Sequence, residues 1–222
     1  KINRTQLSNL NIFRKNDIRG FITAKGELKG KISNPDLFIN FNVDYPHYKG
    51  IRIKEIWEGE IKNDNDQFLL NMKNRYSPIP SFLSVKVDSS LKLESATFSR
   101  VFNSFKGSID LVKENDNYIW NADNFPIDEL ELSVNNNQFD SINGIINGSG
   151  SISLDQSSLD GRLSWSLGKY RNIKLANSLF EFRFKDDEFY VNSSLYPIDG
   201  GIIEAEYNTK KTNLINLDFN NI

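Results

Sequence analysis

The sequence predicts an all-β protein made of antiparallel sheet, and three features of the chain support this prediction. Apolar and polar residues alternate over most of its length, as they do from Leu37 to Val43 and from Phe180 to Phe184. Such a period of two places the apolar side chains on one face of a strand and the polar ones on the other. Short polar clusters separate the alternating segments, and helical periodicity is nearly absent. We therefore expect strands joined by tight turns.

The alternating segments follow one another along the whole chain, and we expect about sixteen to eighteen strands. The apolar positions that define them are Leu37, Ile39, Phe41, Val43, Phe68, Leu70, Met72, Leu83, Val85, Val87, Tyr118, Trp120, Ala122, Leu130, Leu132, Val134, Leu159, Leu163, Trp165, Leu167, Phe180, Phe182, Phe184, Ile215, Leu217 and Phe219. The residues between them are mostly Asn, Lys, Ser, Asp and Glu. Each strand is thus expected to have one apolar and one hydrated face, as antiparallel sheets allow.

Polar clusters predict the turns between these strands. They are Asn63–Asp66, Glu114–Asn117 and Asp186–Asp187, each closely followed by an aromatic residue, and hairpins are the simplest interpretation. One segment, Ser95 to Lys106, is ambiguous, because its phenylalanines are spaced at i, i+4 and i+7 as on a helix face. A short helix and a strand are equally compatible with that segment.

A glycine-rich cassette occurs twice and predicts an internal repeat. The first copy is Gly20-Phe21-Ile22-Thr23-Ala24-Lys25-Gly26-Glu27-Leu28 and the second is Gly144-Ile145-Ile146-Asn147-Gly148-Ser149-Gly150-Ser151-Ile152, 124 positions later. Flanking residues match too: Ile2, Leu7, Tyr48, Ile51 and Ile53 correspond to Ile127, Leu132, Tyr170, Ile173 and Leu175. Repeats of strand-rich units usually stack into a long body. We expect one unit over residues 1–126 and a second, continuous with it, over 127–222.

The cassette glycines indicate a special role for the apolar face. Glycine is disfavoured inside a strand unless the sheet bends or another group approaches closely. An apolar face must also be covered by a second sheet, by helices or by an apolar ligand. Two interpretations follow: a curled sheet that holds an acyl chain, or a bent corner in an ordinary sandwich.

Composition argues against several classes of function. The net charge is −2, from 27 basic and 29 acidic residues, which gives no basic excess for nucleic acid. The chain has no cysteine, and His47 is its only histidine. A single histidine argues against Ser-His-Asp catalysis and excludes a metal site with several histidines. We expect His47, which follows Pro46, to be a solvated turn residue. We predict no enzyme activity, no cofactor and no metal site.

The first residue is Lys1, and no leader pattern or run of about 18 apolar residues follows it. We interpret the sequence as a fragment of a longer protein. Unpaired strands at the ends of such a fragment predict end-to-end self-association.

The first cassette runs on through Gly30-Lys31-Ile32-Ser33-Asn34-Pro35, an expected Asn-Pro turn, into a long alternating strand. This pattern resembles the AsmA-like proteins and, within them, the TamB family. Trp120-Asn121-Ala122-Asp123-Asn124-Phe125-Pro126 is similar to the tryptophan strand of that family, and residues 75–90 look most like its cyanobacterial and chloroplast-envelope members. The second cassette departs from the pattern, because Leu154-Asp155-Gln156-Ser157-Ser158 replaces the Asn-Pro turn.

The resemblance implies a repeating β-groove (a β-taco), which is a long antiparallel sheet curled into an open apolar groove. It implies that this groove carries phospholipid or fatty acyl chains between two membranes, in the periplasm or the chloroplast intermembrane space. The parent protein would be anchored in the inner membrane and would meet a BamA/TamA-like barrel protein of the outer membrane.

The residues expected to line the groove alternate along the cassettes and the strands beside them. They are Ile22, Ala24, Leu28, Ile32, Ile39, Phe41, Leu70, Val85, Trp120, Leu132, Ile152, Leu163, Trp165 and Phe182. Two other functions remain open. One is a scaffold or chaperone that assists barrel assembly or protein translocation by pairing with added strands, and the other is a closed sandwich for adhesion or sugar binding.

Overall fold

A computed structural model of the chain describes residues 1–9, 11–15, 17–31, 34–48, 51–52, 55–64, 67–127, 133–134, 137–138, 142–153, 157–170, 173–209 and 214–220. Contacts divide the chain into two compact units. Unit 1 comprises Lys1–Arg100 and Glu131–Phe139, and unit 2 comprises Val101–Leu130 and Asp140–Ile222. The all-β antiparallel fold expected from the alternation is confirmed.

Nineteen strands lie in the described residues. They are β1 (Ile2–Gln6), β2 (Ile18–Lys31), β3 (Asn34–Tyr48), β4 (Ile51–Arg52), β5 (Ile56–Asp64), β6 (Gln67–Arg75), β7 (Ser81–Asp88), β8 (Leu93–Phe102), β9 (Phe105–Glu114), β10 (Asn117–Pro126), β11 (Ser133–Val134), β12 (Asn137–Gln138), β13 (Ile142–Ser153), β14 (Ser158–Tyr170), β15 (Ile173–Leu175), β16 (Ser178–Lys185), β17 (Glu188–Leu195), β18 (Ile202–Asn208) and β19 (Leu214–Asn220). A 3-10 turn (Leu7–Asn9) and a short helix α1 (Asn11–Lys15) complete the elements.

In unit 1 the strands pair in the order β1-β2-β3-β5-β6-β7-β8, and every described pair is antiparallel. The short strand β4 continues the pairing at the end of β3 and also meets β11. In unit 2 the order is β9-β10-β13-β14-β16-β17-β18-β19, again antiparallel, with β15 added to the end of β14. Neighbouring strands are mostly consecutive in the chain, because tight turns join them.

The polar clusters form turns as predicted where the structure describes them, whereas the prediction of an Asn-Pro turn is wrong. Asp186 and Asp187 connect β16 to β17 with φ angles of 51° and 61°, as a two-residue hairpin turn requires. Asn115, between β9 and β10, has a φ of 56°. In the remaining predicted turn, Asn63–Asp66, residues 65 and 66 lie outside the described residues. Asn34 and Pro35 do not form a turn, since they begin β3 and pair with Lys31 and Gly30.

Of the two alternatives left open for Ser95 to Lys106, the structure shows strand: Ser95 to Phe102 belong to β8, because Leu83 and Val85 of β7 pair with Phe98 and Ala96 and draw them onto the apolar face. The prediction for His47 is wrong. His47 is not a solvated turn residue: it lies within β3, is half-buried, and pairs with Arg19 of β2. The structure also contains α1 and the 3-10 turn, which the sequence patterns did not predict. Neither described helix is long and apolar enough for a membrane span.

Gly20 and Gly144 occupy matching positions in the two units. Each lies at a β-bulge where the register to the next strand shifts, between Arg19 and Phe21 in β2 and between Asn143 and Ile145 in β13. Their φ angles are 121° and 130°, in a region that side chains on Cβ disfavour. A glycine is therefore needed at both bulges.

Candidate functional site

The apolar face of unit 1 consists of side chains that the register brings side by side on successive strands. Directly paired residues of antiparallel strands share a face, so each row crosses the sheet. One row is Ala24, Phe41, Gly59, Met72, Leu83 and Phe98, and the next is Gly26, Ile39, Ile61, Leu70, Val85 and Ala96. We call these two rows the unit 1 apolar rows. They connect six strands without a charged residue.

One end of this face is covered by protein. Leu7, from the 3-10 turn, is 3% exposed and packs in a cluster with Ala24, Phe41 and Val43, against which Phe13 of α1 also packs. Ile39, Ile61 and Leu70 of the second row pack against this cluster as well, but their side chains are only half-buried. The unit 1 apolar rows are therefore buried at Ala24 and Phe41 and half-buried from Ile39 to Val85.

In unit 2 the corresponding rows contain glycines with aromatic side chains lying over them. One row is Leu111, Trp120, Gly150, Gly161, Phe182, Val191 and Tyr207, and the next is Ile109, Ala122, Gly148, Leu163, Phe180, Ser193 and Ala205. We call these the unit 2 apolar rows. The indole of Trp120 extends across β13 and β14 and stacks on Phe182 with ring centroids 5.8 Å apart.

Three glycines of the apolar rows make room for aromatic side chains, and of these three only Gly150 belongs to a cassette. A Cβ on Gly161 would overlap the Trp120 ring, and a Cβ on Gly150 would lie 2.6 Å from Trp120 Nε1. In unit 1 a Cβ on Gly59 would lie 2.7 Å from the Phe41 ring. The sequence allowed either a bend or a close approach at such glycines. The structure shows a close approach: a side chain of the same face at Gly161, and both such a side chain and a backbone carbonyl of the neighbouring strand at Gly150 and Gly59.

The three tryptophans differ in how their indole N–H groups are satisfied. Trp120 Nε1 donates to the carbonyl oxygen of Asp160 at 3.2 Å, and Trp165 Nε1 donates to that of Asn143 at 2.9 Å. Trp57 is 6% exposed, and its Nε1 has no hydrogen-bond partner in the part of the chain that the structure describes. A buried donor without a partner costs about 1–3 kcal/mol.

The structure places most of the predicted groove residues on these faces, but with different exposure. Ala24, Phe41 and Trp120 are buried, while Leu28 is on the same face as Ala24 and is 68% exposed. Half-buried positions are Ile22, Ile39, Leu70, Val85, Ile152, Leu163, Trp165 and Phe182. Ile32 and Leu132 lie outside the described residues. Whether these positions bind lipid stays a prediction.

Comparisons with protein-family models, with curated proteins and with solved structures found no match to this chain. The resemblance to the TamB family therefore rests on the sequence motifs alone. The structure itself shows an all-β protein of antiparallel sheet.

Two clefts involve the opposite, polar face of the sheets. In unit 1 a cleft of about 580 Å³ is lined by the polar-face rows Thr23, Asn42, Glu58, Lys73, Phe82 and Lys25, Asn40, Glu60, Asn71, by Lys1, and by Ala24, Phe41, Gly59 and Met72 from the row between them. In unit 2 a cleft of about 430 Å³ is lined by Asp160, Arg162 and Glu181 with their neighbours, and by Gly150, Gly161 and Phe182 of the unit 2 apolar rows. Sequence analysis missed both clefts, because polar positions of a strand read simply as its hydrated face.

Several charges of the polar face form ion pairs. Arg162 and Glu181 form an ion pair at 2.8 Å, and Lys73 lies 3.1 Å from Glu58. Lys29 Nζ lies 2.7 Å from Glu27, and its hydrogen bond and charge lower the pKa of the Glu27 carboxyl while Glu27 raises the pKa of Lys29. No three His, Asp or Glu side chains among the described residues converge to form a metal site.

Proposed function

We propose that this chain is a segment of a TamB-like bridge whose curled sheet carries phospholipid between the inner and outer membranes. The acyl chains lie along the unit 1 and unit 2 apolar rows, and the head groups remain in water. No covalent step is involved. The proposal rests on the family resemblance together with one feature of the structure: the row through Ile39, Ile61, Leu70 and Val85 consists of half-buried apolar side chains on neighbouring strands.

Energetics favour an acyl chain as the occupant of such a face. Burying a methylene group contributes about 0.8 kcal/mol, so ten of them contribute about 8 kcal/mol before ordering costs are subtracted. This is enough for binding without a specific head-group site. Weak local contacts also suit a ligand that must move along the sheet.

The matching bulges at Gly20 and Gly144 support a repeated construction. Both glycines open a long strand that pairs with the following long strand, β2 with β3 and β13 with β14. Repeats of this kind extend one surface over many strands. An extended apolar surface is what transfer between membranes requires.

A matched pair of substitutions on β6 tests the proposal. Leu69 and Leu70 are adjacent and both half-buried, but only Leu70 belongs to the unit 1 apolar rows. We expect the purified protein to bind a fluorescent fatty acid, Leu70→Glu to weaken that binding at least about tenfold, and Leu69→Glu to leave it unchanged. Far-ultraviolet circular dichroism checks that both variants fold. Absence of fatty-acid binding by the unmodified protein, or equal loss in both variants, would refute lipid carriage.

A second candidate function is that of a scaffold for strands of an outer-membrane barrel protein. Strand β1 favours it, because among the described residues β1 pairs only with β2, and its five residues are mostly exposed. An exposed edge can accept a further strand through main-chain hydrogen bonds. Replacing Thr5 with proline would remove a main-chain donor from this edge strand. We expect Thr5→Pro to abolish crosslinking to barrel-derived peptides in this case and to leave fatty-acid binding intact.

A further inference from the structure

The polar cleft of unit 1 has the features of a ligand site that lipid carriage does not use. It measures about 580 Å³, within the range of small-molecule sites. Five consecutive strands of the sheet order, β2, β3, β5, β6 and β7, contribute its lining side chains. Its polar lining residues alternate with the unit 1 apolar rows along each strand and therefore lie on the opposite face. Ala24, Phe41, Gly59 and Met72, which form the row between the two polar rows, also line it.

The carboxylates of this cleft already have partners. Glu58 lies 3.1 Å from Lys73 and 3.8 Å from Arg75. Glu60 lies 3.8 Å from Lys62 and accepts a hydrogen bond from Asn71 Nδ2 at 3.4 Å. The acidic side chains therefore have their charge balanced within the protein, and a cationic ligand has no unpaired carboxylate to meet.

Two ammonium groups of the cleft are different. Lys1 and Lys25 are neighbours across β1 and β2, because Ile2 pairs with Ala24. Neither lysine forms an ion pair with a carboxylate of the described residues; the nearby Glu27, whose pKa the charge of Lys25 also lowers, is held by Lys29 at 2.7 Å. Two adjacent cations outside any ion pair attract an anionic group.

Neutral hydrogen-bonding groups lie beside these cations. Thr23 pairs with Asn42 and Lys25 pairs with Asn40 in the β2–β3 register. In the described part of the chain, the side chains of Thr23, Asn40 and Asn42 have no hydrogen-bond partner. A hydroxyl and two amides offer both donors and acceptors, and their spacing across the sheet is about 5 Å. Such an array suits a ligand with several hydroxyl groups.

An aromatic ring lies at the other end of the cleft. Phe82 of β7 pairs with Lys73 and is 45% exposed. A large apolar side chain exposed among polar residues can lie against the apolar face of a ligand ring. A pyranose ring combines such a C–H face with hydroxyl groups at its edge.

We propose that the polar cleft of unit 1 binds an acidic saccharide, a pyranose sugar that carries a carboxylate or phosphate. Lys1 and Lys25 hold the anion, Asn40 and Asn42 hydrogen-bond the hydroxyls, and Phe82 packs against the ring. The polar side chains that bind the saccharide lie on the opposite face from the lipid-carrying rows, so this proposal does not rest on the proposed function.

Calorimetric titration of the full chain tests the site with three probes: trigalacturonate, maltotriose and inorganic phosphate. We expect trigalacturonate to bind at least about tenfold more tightly than either of the others, and its binding to weaken as salt is added. Equal binding of maltotriose would refute the role of the cations. Equal binding of phosphate would show an anion site without sugar recognition, and no binding of trigalacturonate would overturn the proposal outright.

Matched variants identify the residues. Lys25→Gln should weaken trigalacturonate binding about tenfold, whereas Lys29→Gln, on the same face of β2 but outside the cleft, should not. Phe82→Ala should also weaken trigalacturonate binding. Phe38→Ala is its control and should leave binding unchanged, because Phe38 is 43% exposed on the same face and does not line the cleft. If the control variants weaken binding as much as the cleft variants do, the proposed site is wrong.

Discussion

The indole of Trp120 on β10 stacks on the phenyl ring of Phe182 on β16, with the ring planes 17° apart, although two strands separate them in the sheet. The contact is possible because Gly150 and Gly161 occupy those two strands at the same row. Aromatic pairs of this kind contribute about 0.5–1.5 kcal/mol beyond their area burial. Gly150 of the second cassette and Gly161 on β14 thus allow side chains of two non-adjacent strands, β10 and β16, to contact each other.

Gly161→Ala should destabilise unit 2 because its methyl group would overlap the Trp120 ring. We expect a loss of about 1–3 kcal/mol in the free energy of unfolding, as for other overpacked interiors. The measurement is urea unfolding of the variant and of the unmodified chain.

A double-mutant cycle provides the control for Gly161→Ala. Trp120→Leu removes the far edge of the indole, so Gly161→Ala in that background should cost less than about 1 kcal/mol. If the cost of Gly161→Ala is the same in both backgrounds, the glycine does not serve to accommodate Trp120.

Trp165→Phe should lower the free energy of unfolding more than Trp57→Phe does, although Trp57 is the more deeply buried residue. Both remove an indole N–H, but that of Trp165 is bonded at 2.9 Å to Asn143 and that of Trp57 has no partner in the described residues. Removing an unsatisfied buried donor relieves a penalty. We expect Trp165→Phe to cost about 1–2 kcal/mol more than Trp57→Phe in chemical unfolding. A larger loss for Trp57→Phe would show that its N–H is satisfied.

Gly20→Ala and Gly144→Ala should each destabilise the unit that contains them. At φ angles of 121° and 130°, a side chain on Cβ adds strain of about 1–3 kcal/mol. Thermal unfolding followed by circular dichroism gives the comparison. A stabilising effect of either substitution would mean that the bulge does not need the glycine conformation.

Asp187→Gly should stabilise the β16–β17 hairpin. Asp186 and Asp187 both have positive φ angles, and glycine adopts this conformation with less strain than aspartate. We expect a gain of about 0.5–1 kcal/mol in unfolding free energy. Asp187→Ala, which keeps a Cβ at that φ, is the matched control and should destabilise instead.

The sequence predicts the strands well because alternation is a local property that each strand repeats. Phe180, Phe182 and Phe184 share one face in the structure as their spacing implies, and the Asp-Asp turn forms where its chemistry requires. Local spacing does not decide the structure from Ser95 to Phe102: its phenylalanines are spaced as on a helix face, but the segment pairs with β7 as a strand. Long-range pairing of this kind leaves no mark in the local pattern.

The candidate sites were less predictable than the strands. The alternation placed Leu70 and Val85 on an apolar face, but it could not show that Leu7 and Phe13 cover the Phe41 end of that face. Nor could it show that Asn40, Asn42 and Lys25 line a cleft, because a groove on a polar face depends on the three-dimensional course of several strands. Pairs of residues on neighbouring strands decide both features.

The central claim is that acyl chains bind to the apolar rows and not to the opposite face. Nuclear magnetic resonance with a spin-labelled stearic acid tests it directly, because the label broadens methyl signals close to it. We predict much stronger broadening for Leu70, Val85 and Leu163 than for Leu69 and Leu179, which lie on the polar faces of the same sheets. Broadening of both sets alike, or of neither, would contradict the account.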